Sequence, residues 1–315
     1  MVIGPSFVPV DILLHCNLST ASSSTSVLPS LAFIKTHKTG GSTVSDILNR
    51  IADVRNLTKL CPSDDVHLGW PGEFPGHLRQ GGKHVVDVIN NHAILNRAHM
   101  ETFLRRPGFF FTVLREPVSQ VVSAFNYFGY AERRSWKEQL EWLRSLPTHG
   151  GNEAALLQNG MASDLGWYKA RRRATSFESF MVQLGNDLDY VLLLEKLDEG
   201  LVLLAHMLGL SLPEVAYVSQ KMAHAPYIQP TEPELSQLKS FIRPDMTVYS
   251  FFKERWLALW ANQTLQHPKL LQQVSDLKCI NKELANRTLS KFRMDSRPYT
   301  QYLCSREQLD RLDGN

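Results

Sequence analysis

The chain has 315 residues, 43% of them hydrophobic and 21% charged, with a formal net charge of +3. That is enough apolar material for one large core or two smaller ones. The charge is too mild to argue for nucleic acid as a partner, and a basic site for one small anion would account for it. No apolar run reaches the roughly 18 residues of a membrane span, and the opening "MVIGPSFVPVDILLHC" is broken by Pro5, Pro9 and Asp11 and lacks the basic start of a signal peptide.

Residues 1–30 end in "STASSSTSVLPS", a Ser/Thr-rich stretch without periodicity, and read as a disordered or stalk-like segment ahead of a single domain over 31–315. Leu31 to Lys35 is a short apolar strand. A glycine-containing loop follows, then Thr43 to Ala52 reads as a helix with Val44, Ile47, Leu48 and Ile51 on one side. Residues 60–83 are rich in Pro, Gly and charge and read as irregular surface. "HVVDVI" at 84–89 predicts a second strand, and 93–105 a helix. "FFFTVL" at 109–114 predicts a third, buried strand. Pro117 then opens a helix over Val118 to Phe128. Residues 135–184 read as helices interrupted at "PTHGG", with a basic run from Arg171 to Arg173 that is most simply a solvated face. "YVLLLE" at 190–195 predicts a fourth strand, and the remainder is mainly helical. Nearly all-apolar strands alternating with helices argue for an α/β fold, a P-loop-like parallel sheet covered by helices on both faces, with a helical C-terminal part.

Cys16, Cys61, Cys279 and Cys304 show no CxxC pairing, so a cysteine zinc site is not expected; disulfides and buried free thiols both remain open. Sequons stand at Asn17, Asn56, Asn262 and Asn286, more than chance composition supplies, and lean toward a luminal glycoprotein.

Two stretches carry chemistry. "KTHKTGGST", Lys35 to Thr43, sits between a strand and a helix. A helix N-terminus offers unpaired N–H groups and partial positive charge, glycines let an anion approach the backbone, and lysines add point charges. Lys35, Lys38, Thr39, Gly40, Gly41, Ser42 and Thr43 are therefore candidate phosphate contacts. The order is not the Walker pattern, because Lys38 precedes the glycines; a plain glycine turn with a hydroxyl cap gives the same letters. In the second stretch, "TVLREPVSQVVSAFNYF", Arg115 ends a strand and Ser123 lies two helical turns further on, able together to grip a second phosphate. His92, in "INNHAI", and His37, in the loop, are the candidate general bases.

Taken together, "FIKTHKTGGSTVSDIL" and "TVLREPVSQVVSAFNYFG" resemble the motifs of the galactose 3-O-sulfotransferase family of Golgi carbohydrate sulfotransferases, which includes the galactosylceramide sulfotransferase. Weaker similarity runs through "INNHAI", "NEAALLQNGMASDLG" and "LLLEKLDEGLVLLAHMLG", so the resemblance covers most of 31–260. Gly41 stands where that family usually has Ser or Ala, Glu116 replaces its Asp, and the family's N-terminal membrane anchor is absent from this chain. The resemblance implies 3′-phosphoadenosine 5′-phosphosulfate as co-substrate and no metal. Its phosphosulfate would lie on Lys38 to Thr43 and its 3′-phosphate on Arg115 and Ser123, with His92, Lys38 and His37 catalytic. It implies a galactose-terminated glycolipid or glycan acceptor, with Asn152 and Asp164 bonding sugar hydroxyls and Trp167 or Tyr168 stacking on the ring. It also implies a Golgi location and admits a homodimer. Rival readings are a uronyl 2-O-sulfotransferase or other glycan sulfotransferase, an inactive relative, and a kinase-like nucleotide-binding protein.

Overall fold

The computed structural model of the protein describes residues 8–16, 18, 27–62, 67–72, 74–75, 85–145, 156–218 and 227–291. Four strands, β1 (Ser30–Ile34), β2 (Val88–Ile89), β3 (Gly108–Leu114) and β4 (Tyr190–Leu193), form one sheet in the order β2-β1-β3-β4, every pair parallel. Ile34 pairs with Thr112, and Leu114 with Leu193. Burial on both faces explains the unbroken apolar runs: Leu31, Phe33, Phe110, Phe111 and Leu192 are all fully buried. Each such side chain contributes about 1.5–3 kcal/mol relative to exposure, so the sheet is the energetic centre of the molecule. From central β1 the chain crosses to β2 on one side and then returns to β3 on the other. The order reverses there, and a crevice opens at the carboxyl ends of the strands.

The helix α2 (Gly41–Val54) follows β1 and buries Val44, Ile47, Leu48 and Ile51 at helical spacing, as expected. The helix Pro117–Tyr127 follows β3. Glu116 is its N-cap, accepting from the N–H groups of Val118 and Ser119 at 3.1 and 2.7 Å; a carboxylate one methylene longer than Asp still satisfies the first turn. Two expected elements are shorter. Of the strand foreseen at 84–89, Val88–Ile89 is strand, while Val86 bonds instead to Phe103 and Arg105 on the far side and residue 84 lies outside the described residues. The helix foreseen at 93–105 spans only Arg97–Glu101, because Asn96 accepts from the His99 N–H and caps it there, leaving Ala93 to Leu95 as a buried connection.

The largest difference lies at the N-terminus. Residues 8–16, expected to be without structure, include a helix, Val10–His15, whose Ile12 and Leu13 join the main core. Cys16 closes a disulfide with Cys279 on the long helix Lys269–Lys291. Cys61 is disulfide-bonded as well, and Cys304 lies outside the described residues. The free-thiol alternative is thereby removed for Cys16, Cys61 and Cys279. Residues 19–26, the rest of the Ser/Thr-rich stretch, also lie outside the described residues. Among the described residues no helix is long and apolar enough to cross a membrane.

Candidate active site

The loop after β1 is stitched by its own threonines. Thr36 Oγ1 donates to the Val113 carbonyl at 2.6 Å, and Thr39 Oγ1 donates back to the Thr36 carbonyl at 3.1 Å. Lys38 (φ 62°) and Gly40 (φ 86°) both adopt left-handed backbone, which turns the chain sharply into α2. For Lys38 that conformation costs on the order of 1–3 kcal/mol and persists only where the surroundings hold it. The holders are visible. Arg115 Nη1 donates to the Lys38 carbonyl at 3.3 Å, and Gln120 Nε2 to the His37 carbonyl at 3.0 Å. A Cβ at Gly40 would lie 2.6 Å from Leu194 Cδ1, and one at Gly41 would lie 3.0 Å from Lys35 Cγ. Gly40 is therefore favoured by both its left-handed backbone and the nearness of Leu194, whereas a Cβ at Gly41 asks only a small shift of the Lys35 side chain. The Lys38 ammonium rests 3.3 Å above the ring of Tyr127, at the far end of the Pro117–Tyr127 helix.

Arg115 and Ser123 share a neighbour, Tyr227, which acts electrostatically on the guanidinium. Ser123 Oγ lies 3.3 Å from the hydroxyl of Tyr227. Tyr227 is held by its neighbour: Ile228 N–H donates to Asn126 at 2.9 Å, and the Ile228 carbonyl accepts from Trp136 Nε1 at 3.0 Å. Burial lowers the Arg115 pKa, opposed by Tyr227, Glu195 and Glu116; an arginine remains protonated regardless. Gln120 Oε1 is buried with no hydrogen-bond partner.

At the other side of the loop lies a ring of aromatic side chains. His37 and His92 stack with centroids 4.1 Å apart and planes 16° apart. Trp70 lies 4.4 Å from His37, and His67 lies 5.5 Å from Trp70 and 5.8 Å from His92, closing the ring. The two stacked histidines are held by opposite kinds of group. His92 Nδ1 is 3.0 Å from the Lys35 carbonyl. A carbonyl only accepts, so Nδ1 carries the proton and Nε2 keeps a free lone pair. His37 offers both its backbone N–H and Nδ1 to Asp164 Oδ2, at 2.8 and 2.9 Å, while Trp70 Nε1 donates to Asp164 Oδ1 at 2.8 Å.

Two imidazolium charges about 4 Å apart repel by about 4 kcal/mol at an effective dielectric of 20. The pair therefore resists carrying two charges, and its rings are held by different acceptors, His37 by the Asp164 carboxylate and His92 by the Lys35 carbonyl. Burial, and then the neighbouring His37, Lys35 and His67, hold His92 well below the ordinary histidine range. His92 is thus a neutral imidazole with one open nitrogen, the state a general base requires.

Asp164 sits at the end of a short helix, Gly160–Asp164. The other end of that helix is capped by buried Asp245, which accepts from the N–H groups of Met161 and Ala162 at 3.2 and 2.6 Å. Burial pushes the Asp245 carboxyl up to about 7 against those two bonds, with nearby Asp164 adding to the rise.

The structure thus sets residues 35–43 in one loop and first helical turn after β1, with His92 and Arg115 hydrogen-bonded to the carbonyls of Lys35 and Lys38. Asp164 joins them in another role, holding His37 and Trp70 with both oxygens. Trp167 packs edge-on against Phe177 at 4.8 Å and against Phe180 at 5.3 Å, the environment of a core aromatic. Asn152 lies outside the described residues. Arg171 and Arg173 are exposed, the solvated face anticipated for that run. Sequence reasoning missed His67, Trp70, Gln120 and Tyr227. The first two fall in a Pro/Gly-rich stretch without periodicity, and Tyr227 is about a hundred residues from its partner, so no local signal marked them. Among the described residues no group of three or more His, Cys, Asp or Glu side chains could hold a metal ion.

The site is thus a parallel α/β sheet whose β1–α2 loop is flanked by Arg115 on one side and by the stacked His37–His92 pair on the other. A sequence profile described as Galactose-3-O-sulfotransferase matches residues 11–300. The chain belongs to that family and is a sulfotransferase. It is 28% identical over 269 residues to galactose-3-O-sulfotransferase 2 of Homo sapiens, covering 81% of this chain and 67% of the relative. It is 32% identical over 199 residues to galactose-3-O-sulfotransferase 3 of Homo sapiens, covering 59% of this chain and 46% of the relative. The galactosylceramide sulfotransferase of Mus musculus aligns over 198 residues at 28% identity, covering 59% and 47% respectively.

Proposed function

We propose that the protein transfers a sulfuryl group from 3′-phosphoadenosine 5′-phosphosulfate to the 3-hydroxyl of a terminal β-galactoside on a glycolipid or glycoprotein glycan. The observation that carries the reading is the stacked His37–His92 pair beside the α2 cradle, with the His92 proton fixed on Nδ1 by the Lys35 carbonyl. The glycines at 40 and 41 and the grip of Arg115, Ser123 and Tyr227 fit the two phosphorylated ends of such a donor.

The donor supplies an activated sulfur and a phosphate leaving group; the chain supplies everything else. His92 Nε2 takes the proton of the galactose 3-hydroxyl as the new O–S bond forms. The bridging S–O bond breaks, and its electron pair departs on the 5′-phosphate. Lys38 leaves Tyr127 and meets that growing charge together with the first-turn N–H groups of α2. His37, held by Asp164, presents a second polar group to the sulfuryl oxygens. Arg115, Ser123 and Tyr227 contribute binding far from the reacting sulfur.

The same reading places the protein in the Golgi lumen. The Cys16–Cys279 disulfide suits an oxidising compartment, and Asn56, Asn262 and Asn286 of the sequons are exposed.

Transfer of labelled sulfate to a panel of β-galactosides and uronic-acid glycans tests the reading. Product linkage at galactose O3 is expected; a 2-sulfated uronic acid, or no transfer to any galactoside, would overturn it. Within that assay, Arg115→Ala is expected to raise the donor KM by roughly 10- to 150-fold, the loss of a charge-assisted contact of about 1.5–3 kcal/mol. A donor lacking the 3′-phosphate should be indifferent to the change; if both donors suffer equally, Arg115 supports the loop through the Lys38 carbonyl and does not bind phosphate.

Asp164→Asn keeps the size of the side chain and removes its charge. It is expected to lower kcat by roughly 10- to 150-fold, since a charge-assisted hydrogen bond to His37 is worth about 1.5–3 kcal/mol. The affinity for adenosine 3′,5′-bisphosphate should stay within about twofold. An equal loss in both measurements would make Asp164 a folding residue only.

A further inference from the structure

We propose that Trp70 is the acceptor-specificity residue, the aromatic face on which the galactose ring lies while its 3-hydroxyl reaches His92; this rests on the galactoside reading above. The position is the first argument. Of the four rings that close the cluster, three are histidines, and Trp70 is the one large apolar surface within contact range of His37. A sugar whose hydroxyl meets the open nitrogen of His92 must cover part of this cluster, because His37 is stacked directly on His92.

The second argument is how Trp70 is held. Its only polar atom, Nε1, donates to Asp164 Oδ1 at 2.8 Å. The hydrogen-bonding edge is thereby spent, and the half-buried indole is further held by His37 at 4.4 Å and by His67 stacked at 5.5 Å. A fixed indole face offers an apolar, electron-rich platform and nothing to a hydroxyl. Galactose suits such a platform. Its axial 4-hydroxyl leaves the C–H bonds at C3, C4 and C5 on the opposite side of the ring as one continuous apolar patch. A glucoside, with an equatorial 4-hydroxyl, interrupts no hydrogen bond at Trp70 but presents its 3- and 4-hydroxyls in a different relation to His92.

The third argument is the failure of the alternatives. Trp167 is packed against Phe177 and Phe180. Tyr127 lies under the Lys38 ammonium and Tyr227 against Ser123, both on the donor side of the loop. Trp70 also reports on chemistry, because the carboxylate it anchors is the one that orients His37. Its face and its N–H therefore have separable consequences, the first in acceptor binding and the second in turnover.

The experiment compares the wild type with Trp70→Phe and Trp70→Ala on one simple β-galactoside, reading acceptor KM, kcat and the affinity for adenosine 3′,5′-bisphosphate. Trp70→Ala is expected to raise the acceptor KM by roughly tenfold, the scale of a lost aromatic contact, with bisphosphate affinity within about twofold. Trp70→Phe keeps a ring face but no N–H: its KM should stay within about threefold of wild type while kcat falls. Equal KM values for wild type and the Ala variant, equal KM defects in the Phe and Ala variants, or loss of bisphosphate binding in the Ala variant would each overturn the assignment. A wild type that sulfates no galactoside at all fails at the earlier step and overturns the galactoside reading itself, a result distinct from any change among the variants.

Discussion

Lys38→Ala is expected to lower kcat by roughly 10²–10³-fold, because one preorganised donor at a developing oxyanion is typically worth about 3–4 kcal/mol in the transition state. The structure sharpens what should happen to binding. Lys38 Nζ already has a partner in the ring of Tyr127 at 3.3 Å, and a cation–π contact at a partly exposed position is worth about 0.5–1 kcal/mol. Moving the ammonium to the leaving phosphate gives up that contact, which offsets part of the gain in the ground state and little of the larger gain in the transition state. The loss on mutation should therefore fall mainly on kcat, with a smaller fall in affinity for adenosine 3′,5′-bisphosphate. The left-handed backbone at position 38 is held by Arg115 and Gln120 through neighbouring carbonyls, independent of the side chain, so the variant keeps its loop. Turnover within threefold of wild type, measured under saturating donor and acceptor, would remove Lys38 from the chemistry.

His92→Ala should lower kcat by roughly 10²–10⁴-fold, the usual contribution of a positioned general base, and leave the bisphosphate affinity nearly unchanged. The pH profile carries a second, independent expectation. Burial and three cationic or partly cationic neighbours hold the His92 pKa well below 6.5. A base with a depressed pKa keeps its active, neutral form down to lower pH. The acid limb of kcat/KM should therefore have its midpoint below 6.5, and the rate should be flat above it until another group titrates. His92→Ala should abolish that limb along with most of the rate. A limb at or above 6.5 that survives the His92 change and vanishes in His37→Ala would move the base to His37. The structure argues against that exchange, because His37 is anchored to Asp164 through both its backbone N–H and Nδ1.

Much of this site was legible before any fold was known. The glycine pair after a buried strand, the lysines around it, and the arginine and serine at the end of another strand are short-range patterns with a direct electrostatic meaning. They came to rest where a parallel sheet puts such groups. The strand cores were legible for the same reason: the runs at 31–34, 109–114 and 190–193 are apolar at nearly every position, Thr112 the polar exception, because both faces are covered. Local competition was harder to read. Nothing in the local pattern says that Asn96 will cap a helix four residues late, or that Val86 will bond to Phe103 and Arg105.

The sequence by itself determined the fold class, the phosphate-binding loop and the candidate bases, because each depends on residues within about fifteen positions of one another. Only the tertiary structure decided how each histidine is held, since that turns on a carbonyl 57 residues from His92 and a carboxylate 127 residues from His37. It also brought Asp164 against His37 and Trp70, and tied Val10–His15 into the core beside a disulfide spanning 263 residues. Hydrogen-bond direction, burial and the repulsion between two stacked imidazoles are properties of space. They appear only when distant segments are packed at contact distance, where the dielectric is low and a group of the wrong charge has no water to turn to.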